Sequence, residues 1–565
     1  MGKGRREMIK IIPQMVYSLN IKKGYKKIEN FDYLTENAPE INKQLMLDML
    51  KKNADTEYGK RYHFDEITTI EDYKKKVPFS IYDDYAPYIE RMIAGETDLL
   101  TKDPIVHYAL TSGSVDNPKK IPVSEQTVKL YREYATQFSF AIIARALGKK
   151  WKRGRGLNLM EVKFETLPNG LFAGSISGRG VYSIKNLLFL MFTSPKEIVF
   201  PTEIMDTKYA HLRFALMDRN LSYIVSAFMT GISDLMKYME MNWELLFDDI
   251  EKGTIHPDIK IPDDVKAQLL TQIKPNPKRA AELRKEFEKG FDTPIIPRIW
   301  PELAFVHAIG SGGFSVYTDK MRHYLGDVPI YFSIYAASES IMAICNEMEA
   351  QEFVLIPDSA FYEFIPADQE DSEETLTMEQ LETGKDYEIV LTNTSGFYRY
   401  RIKDVVRVVG WYKNCPKIKF VYRLNQMVSI AGEKTTEECI SWAVKEFAKA
   451  TDCELVDYSV YADVAVSPGR YVIFIELEKP LAKERYDDYR QIMEEKLGTA
   501  NPSIGSKVKS GVLSPSEISF VQEETYALYR DLMIMRGISA NQLKPVRVID
   551  TLVKENFFFA LVDKE

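Results

Sequence analysis

Several chemistries are excluded by what this sequence lacks. Its four cysteines, Cys345, Cys415, Cys439 and Cys453, are scattered without a CxxC pair, and its six histidines form no HExxH. A disulfide framework, a zinc knuckle and a zincin centre therefore have no support, and a reducing compartment fits. No serine stands at the centre of a GxSxG elbow, so an esterase of that type lacks its nucleophile turn. Gly432-Glu433-Lys434-Thr435 lacks both the adjacent Gly-Lys pair and the upstream glycine of a Walker A loop. The apolar runs at 186–192 and around Phe557 fall far short of the roughly 20 residues that span a bilayer. The basic N-terminus, MGKGRREMIKIIPQMVYSLNIKKGYKK, never reaches a signal-peptide core and lacks a myristoylation Ser/Thr. It reads as a surface helix of a cytoplasmic protein with no membrane partner. A net charge of -8, with both signs mixed along the chain, gives no footprint for a nucleic-acid backbone.

What is present is a globular balance of 45% apolar and 28% charged residues over 565 positions, too many for one ordinary core. Residues 1 to about 100 alternate helical patterns with polar turns. From about 105 to 425, strand-like runs such as 221–225 and 387–391 alternate with longer helical stretches. The expected fold is α/β: a large N-terminal domain, 1–425, with mixed sheets and flanking helices, and a small mobile α+β domain, 426–565. The proline-flanked charged helix 278–289 reads as an insertion. In the small domain, helices are expected at 437–450 and 486–496 and a strand at 471–476.

One loop invites phosphate. Thr111-Ser112-Gly113-Ser114, followed by Lys119 and Lys120, sets hydroxyls, a glycine and cations after an apolar strand, where backbone N–H groups can turn toward phosphate oxygens. Alone this is equally an ordinary polar turn. Two further segments give it weight: Tyr335-Ala336-Ala337-Ser338-Glu339 and Gly396-Phe397-Tyr398-Arg399-Tyr400-Arg401-Ile402-Lys403-Asp404. In this order and spacing the three resemble the nucleotide motifs of the GH3 family, acyl acid amido synthetases of the adenylate-forming superfamily. Segments 56–60, 77–79, 89–91 and 541–547 are similar to the family elsewhere, so nearly the whole chain is covered.

The resemblance implies ATP and Mg²⁺ as cofactors, and a small carboxylic acid and an amino acid as substrates. Thr111, Ser112, Gly113, Ser114 and Lys119 would grip the phosphates, while Tyr335, Ala336, Ser338 and Tyr398 would line the nucleotide site. Glu339 is the metal candidate, since Mg²⁺ takes one or two carboxylates plus phosphate oxygens and water. Asp404 would accept hydrogen bonds from the ribose hydroxyls, as an acceptor-only group can. Lys434 and Lys544 are the catalytic candidates, because a compact ammonium can follow charge as pyrophosphate leaves. Arg399 and Arg401 read as structural. Two departures stand out: Asp116 and Lys403 occupy positions where relatives commonly have glycine. The small domain would turn on a hinge at 423–428 between the two half-reactions. Coenzyme A as acceptor, or nucleotide binding without catalysis, are the alternatives. Helical segments at 125–145 and 160–190, with 306–314, are plausible walls of the acid pocket, and Arg132 and Arg145 are either carboxylate partners or solvated helix charges.

Overall fold

The first helix, Lys3–Glu36, is 34 residues long and runs through Pro13. Rather than lying on the surface, it buries Tyr17, Ile21 and Phe31 in the core. Phe31 meets Tyr134 and Phe138 edge-on at 5.9 and 5.3 Å. At its far end it braces the hairpin that closes the large domain: Tyr412 donates to Asp32 at 2.7 Å and Asn414 N donates to Thr35 O at 3.1 Å. The computed structural model describes residues 3–110, 119–310, 315–369, 372–424, 429–431, 433, 435–479, 483–538, 540 and 543–563, without the side chains of 3–12, 315–316 and 483.

Three sheets build the large N-terminal part. A four-stranded parallel sheet takes Gly156–Asn158, Tyr223–Phe228, Phe305–Ile309 and Ile330–Tyr331 in that spatial order. The second of these begins two residues later than the sequence pattern suggests, because Leu221 and Ser222 lead into it as buried coil. Helix Met229–Lys252 crosses from one parallel strand toward the next, as parallel pairing requires. A mixed sheet, also four-stranded, contains Ile105–Leu110 and Lys120–Ser124. A seven-stranded sheet, wholly antiparallel, runs from Phe361–Pro366 through Asp386–Thr392, Tyr400–Tyr412, Cys415–Arg423, Phe353–Leu355 and Ile341–Ile344 to Ile334–Ala336 at its edge.

One hydrophobic cluster joins all of this, from Tyr17 to Ile418. Two separate clusters fill the C-terminal part, where helices Glu437–Thr451 and Tyr486–Ala500 pack on a four-stranded sheet centred on Leu455–Asp463 and Arg470–Leu477. The architecture is thus a large α/β part and a smaller α+β part, as the sequence leads one to expect. The charged segment at 278–289 forms helix Pro277–Phe287. Segment 160–190 is only partly helical: Glu165–Thr166 and Phe172–Gly174 are short strands, and the helix is Ile176–Ser183. Asn169 makes a tight polar turn between those strands, accepting from Leu171 N at 3.1 Å, which interrupts the helical period. No helix among the described residues is long and apolar enough to cross a membrane.

Candidate functional site

Two segments distant in sequence meet at the strand edge. Ile334–Ala336 pairs with Ile341–Ile344 through a turn closed by Ala337 N donating to Ser340 O at 2.9 Å. Glu339 sits in that turn. The hydroxyl of Tyr131, on the helix after the phosphate-loop strand, donates to Ala337 O at 3.0 Å and fixes the turn from one side. From the other, Asn393 Nδ2 donates to Glu339 O at 2.8 Å, while its Oδ1 accepts from Ser395 N and Phe397 N. Asn393 therefore ties the second motif to the third. The turn it organises needs Gly396, at φ +97, whose Cβ would stand 2.6 Å from Leu100 Cβ.

The third motif is built as a scaffold around one outward carboxylate. Tyr398 is wholly buried, its ring stacked on Tyr58 at 5.1 Å and its hydroxyl donated to Leu100 O at 2.8 Å. That corrects its expected place on the nucleotide: it supports the motif from behind. Arg399 lies at φ +45 and pairs with Glu363, both almost fully buried, while donating to the carbonyls of Lys74 and Val77. Arg401 pairs with Glu388. Both arginines are structural.

Next the strand bulges. Glu388 faces Val405 whereas Val390 faces Arg401, so residues 402–404 crowd against one position of the partner strand. Lys403 takes φ +64 there. This is the left-handed region in which glycine is favoured, so the departure at 403 lies in backbone strain. The bulge sets Asp404, 3% exposed, toward the strand edge. Its Oδ1 accepts from Arg423 Nε at 2.5 Å and its Oδ2 from the Tyr335 hydroxyl at 2.8 Å. A carboxylate has about four lone-pair directions, so these two bonds orient it without exhausting it. Asp404 holds the Arg423 pKa up. Burial, and then Asp404, raise that of Tyr335, which keeps its proton and donates.

Glu339 completes the cluster. Burial pushes its carboxyl up from the ordinary value, and the Asp404 charge adds to this, against Arg423 and the Tyr400 hydroxyl. No lysine or arginine among the described residues pairs with it, and no group of three or more ligand-type side chains there forms a metal cage. Lys544, from the C-terminal part, lines an interdomain cavity with Tyr317 and Asp457 and lies within electrostatic reach of this cluster. It keeps solvent contact but is set deep among protein atoms, and that crowding lowers its pKa; Arg423 lowers it too, while Asp404, Glu339 and Glu437 hold it up. Tyr335, Glu339, Asp404, Arg423 and Lys544 thus share one electrostatic site.

The remaining expectations fall variously. Ala336 ends the edge strand and Ser338 is half-buried in the turn. Lys119 is exposed, 5.0 Å over the Tyr82 ring, whose hydroxyl accepts from Lys120 N at 3.0 Å. Thr111, Ser112, Gly113, Ser114, Asp116, Lys434 and the centre of the hinge, 425–428, lie outside the described residues, as does 311–314 of the pocket wall. Arg145 donates to Asn346 O at 3.0 Å and Arg132 is exposed, so neither is set up as a carboxylate partner. Arg423, Tyr400 and Asn393 carry no site role in the sequence reading; Arg423 enters it only as the start of the hinge and Tyr400 only as a member of the third motif.

The pattern of the GH3 family N-terminal domain matches residues 27–330, that of its central domain 353–423 and that of its C-terminal domain 438–552. The chain belongs to the GH3 family. Similar GH3 proteins include the indole-3-acetic acid-amido synthetase GH3.8 of Oryza sativa subsp. indica, 28% identical over 94% of this chain and 91% of that protein. The 4-substituted benzoates-glutamate ligase GH3.12 of Arabidopsis thaliana is 27% identical over 93% of this chain and 97% of its own. Among solved structures, the GH3.15 acyl acid amido synthetase superposes with a TM-score of 0.83 at 25% identity, covering 95% of this chain and 96% of that one. A 2-hydroxyisobutyryl-CoA ligase, 12% identical with a TM-score of 0.50 over 93% and 89% of the two chains, shares the fold. This GH3 chain is accordingly a ligase that forms a C–N bond through an acyl-adenylate.

Proposed function

We propose that the cleft bounded by Tyr335, Glu339, Asp404, Arg423 and Lys544 binds ATP with Mg²⁺ and activates a small carboxylic acid, whose acyl group then passes to the amine of an amino acid. The observation that carries this reading is the clustering of an oriented acceptor, Asp404, a carboxylate with no basic partner among the described residues, Glu339, and a lysine from the C-terminal part. Asp404, fixed by Tyr335 and Arg423, offers its free lone pairs to the ribose hydroxyls. Glu339 fits magnesium: no lysine or arginine among the described residues pairs with it, burial makes its lone charge costly so that a cation would offset that cost, and Mg²⁺ asks for one or two carboxylates and little else from protein. When bound, the ion supplies positive charge to the phosphate oxygens.

Within this frame the carboxylate attacks the α-phosphorus in line, and the bond to the pyrophosphate oxygen breaks. Lys544, with Lys119 and the 111–114 loop, stabilises the negative charge gathering on the leaving group. The small domain, 426–565, then turns on the 423–428 connection, and an amine attacks the activated carbonyl and expels AMP. Water must be kept out meanwhile, because the mixed anhydride hydrolyses readily. The relatives act on indole-3-acetic acid, jasmonate and 4-substituted benzoates by name. At such identities no one acid carries over, so these classes define the screen.

The test is carboxylate-dependent ATP–pyrophosphate exchange with Mg²⁺, using pooled aryl, indolyl and fatty acids without acceptor, followed by addition of amino acids or coenzyme A to the productive pool. Exchange followed by amide formation supports the reading. Thioester formation in place of amide would overturn the acceptor assignment, and no exchange with any pool would overturn the adenylation step.

A further inference from the structure

The two domains meet through a buried polar chain as well as a rim of charges. Helix Ser315–Leu325 of the large domain lays Tyr317 against strand Leu455–Asp463 of the small one, where its hydroxyl donates to Asp457 Oδ2. Nearby Lys320 Nζ donates to Val456 O at 3.2 Å. Tyr317 and Asp457 are 5% and 2% exposed. The second oxygen of Asp457 accepts from Arg547 Nη1 at 2.6 Å, and the same nitrogen reaches Tyr458 O at 2.8 Å. The guanidinium lies 4.2 Å over the Tyr458 ring, with its Nε 3.6 Å from Glu437. The adjoining backbone is held as well: Val460 N donates to Arg547 O at 2.8 Å, and the Ser459 hydroxyl to Val546 O. Three residues before Arg547 comes Lys544, and Tyr317, Asp457 and Lys544 line one interdomain cavity of about 30 Å³.

We propose that Tyr317, Asp457 and Arg547 form a positioning unit that sets Lys544 in the cleft only while the domains are seated in this arrangement, so that it serves adenylation and not amide transfer. The logic is one of shared partners. Arg547 fixes the 543–547 segment, Asp457 fixes Arg547, and among the described residues the donor to Asp457 from the large domain is Tyr317. If the small domain turns, that donor is left behind and Lys544 leaves the Asp404 and Glu339 carboxylates together with it. None of the three side chains touches a reacting atom. The inference rests on the assignment of Lys544 to the adenylation cleft made above.

Tyr317→Phe removes the hydroxyl and keeps the ring. Pyrophosphate exchange should fall roughly 10- to 100-fold in kcat, the range supported by a hydrogen bond to a charged group, with KM for the acid and the melting temperature little changed. Amide formation from supplied acyl-adenylate should stay at the wild-type rate. Arg547→Lys, which keeps the charge but not the fork that spans Asp457 and Tyr458 O, should show the same split. Asp319→Asn breaks only the rim pair with Lys445 and should alter neither half-reaction. Equal losses in both half-reactions, or undiminished exchange in Tyr317→Phe, would overturn the proposal. A second readout needs no turnover: trypsin should cut the 424–436 connection faster in Tyr317→Phe than in wild type or Asp319→Asn, and equal cutting would count against the unit. Faster cutting in a protein that supports no exchange with any acid would leave the seating role standing and remove the adenylation reading.

Discussion

Asp404→Asn is the substitution that bears most directly on the site. It preserves shape and removes one acceptor and the charge. The Arg423 Nε contact at 2.5 Å loses its ionic character, while the Tyr335 contact at 2.8 Å can reverse, with the amide donating to the hydroxyl. Arg423 is about one-third exposed at its side chain, so water repays part of the lost pairing. The folding cost should then lie near about 1–2 kcal/mol, below the 3–5 expected where a charge is left fully buried. Adenylation should suffer more. Of two hydrogen bonds from ribose to a charged acceptor, one is lost and one weakened, together about 2–4 kcal/mol or roughly 30- to 1000-fold in kcat/KM for ATP. Pyrophosphate exchange at varied ATP, alongside urea unfolding, measures the two effects separately. An Asp404→Asn protein that folds and exchanges within about threefold of wild type would refute the ribose assignment, because that is under 1 kcal/mol and less than one hydrogen bond to a charged group supplies.

Other outcomes follow from the scaffold. Arg399→Met leaves Glu363, 1% exposed, with the Thr375 hydroxyl as its one remaining side-chain donor among the described residues, and should cost about 3–5 kcal/mol in denaturant unfolding, largely recovered by adding Glu363→Gln. Lys403→Gly relieves a left-handed backbone and should raise stability by up to about 1 kcal/mol in the same assay, with exchange activity retained; a clear loss would mean the lysine side chain itself is needed. His211 is buried and its pKa is pushed down to about 3, whereas the unfolded imidazole takes a proton near 6.5. Its contribution is therefore complete above about pH 6.5 and is lost as pH falls, at about 1.4 kcal/mol per unit. Replacing it by Asn, which can keep the bond to Ser194, should flatten the stability profile between about pH 6.5 and 5 by that slope.

The two nucleotide segments could be placed in sequence because their residue types are themselves the chemistry: an aromatic hydroxyl and a carboxylate in one, a carboxylate after a basic pair in the other. Asn393 and Arg423 could not, since each acts on a segment brought near only by folding, Asn393 on a carbonyl 54 residues away. Tyr398 shows the converse limit. In a run of alternating aromatic and basic residues, nothing local distinguishes a ring that faces a ligand from one that stacks on Tyr58. The helix and strand pattern of the C-terminal part was legible because its apolar period is regular, as in Glu437–Thr451 and Arg470–Leu477. At 160–190, glycines and a polar turn compete with that period, and the strands there escaped notice.

The brace between the first helix and the hairpin at 412–414 also has a consequence for biosynthesis. Asp32 waits for Tyr412 across 380 residues, and at roughly 5–20 residues per second that interval is about 20–75 s on the ribosome. The partners of Tyr17 emerge sooner, Phe140 and Trp151 and then Tyr223, whose hydroxyl lies 2.7 Å from its own, whereas the Phe31 ring, already met by Tyr134 and Phe138, is stacked by Tyr412 only at the end. The Tyr17 end of the opening helix can thus find its neighbours early in translation, and the Asp32 end is closed last, when the hairpin at 412–414 arrives.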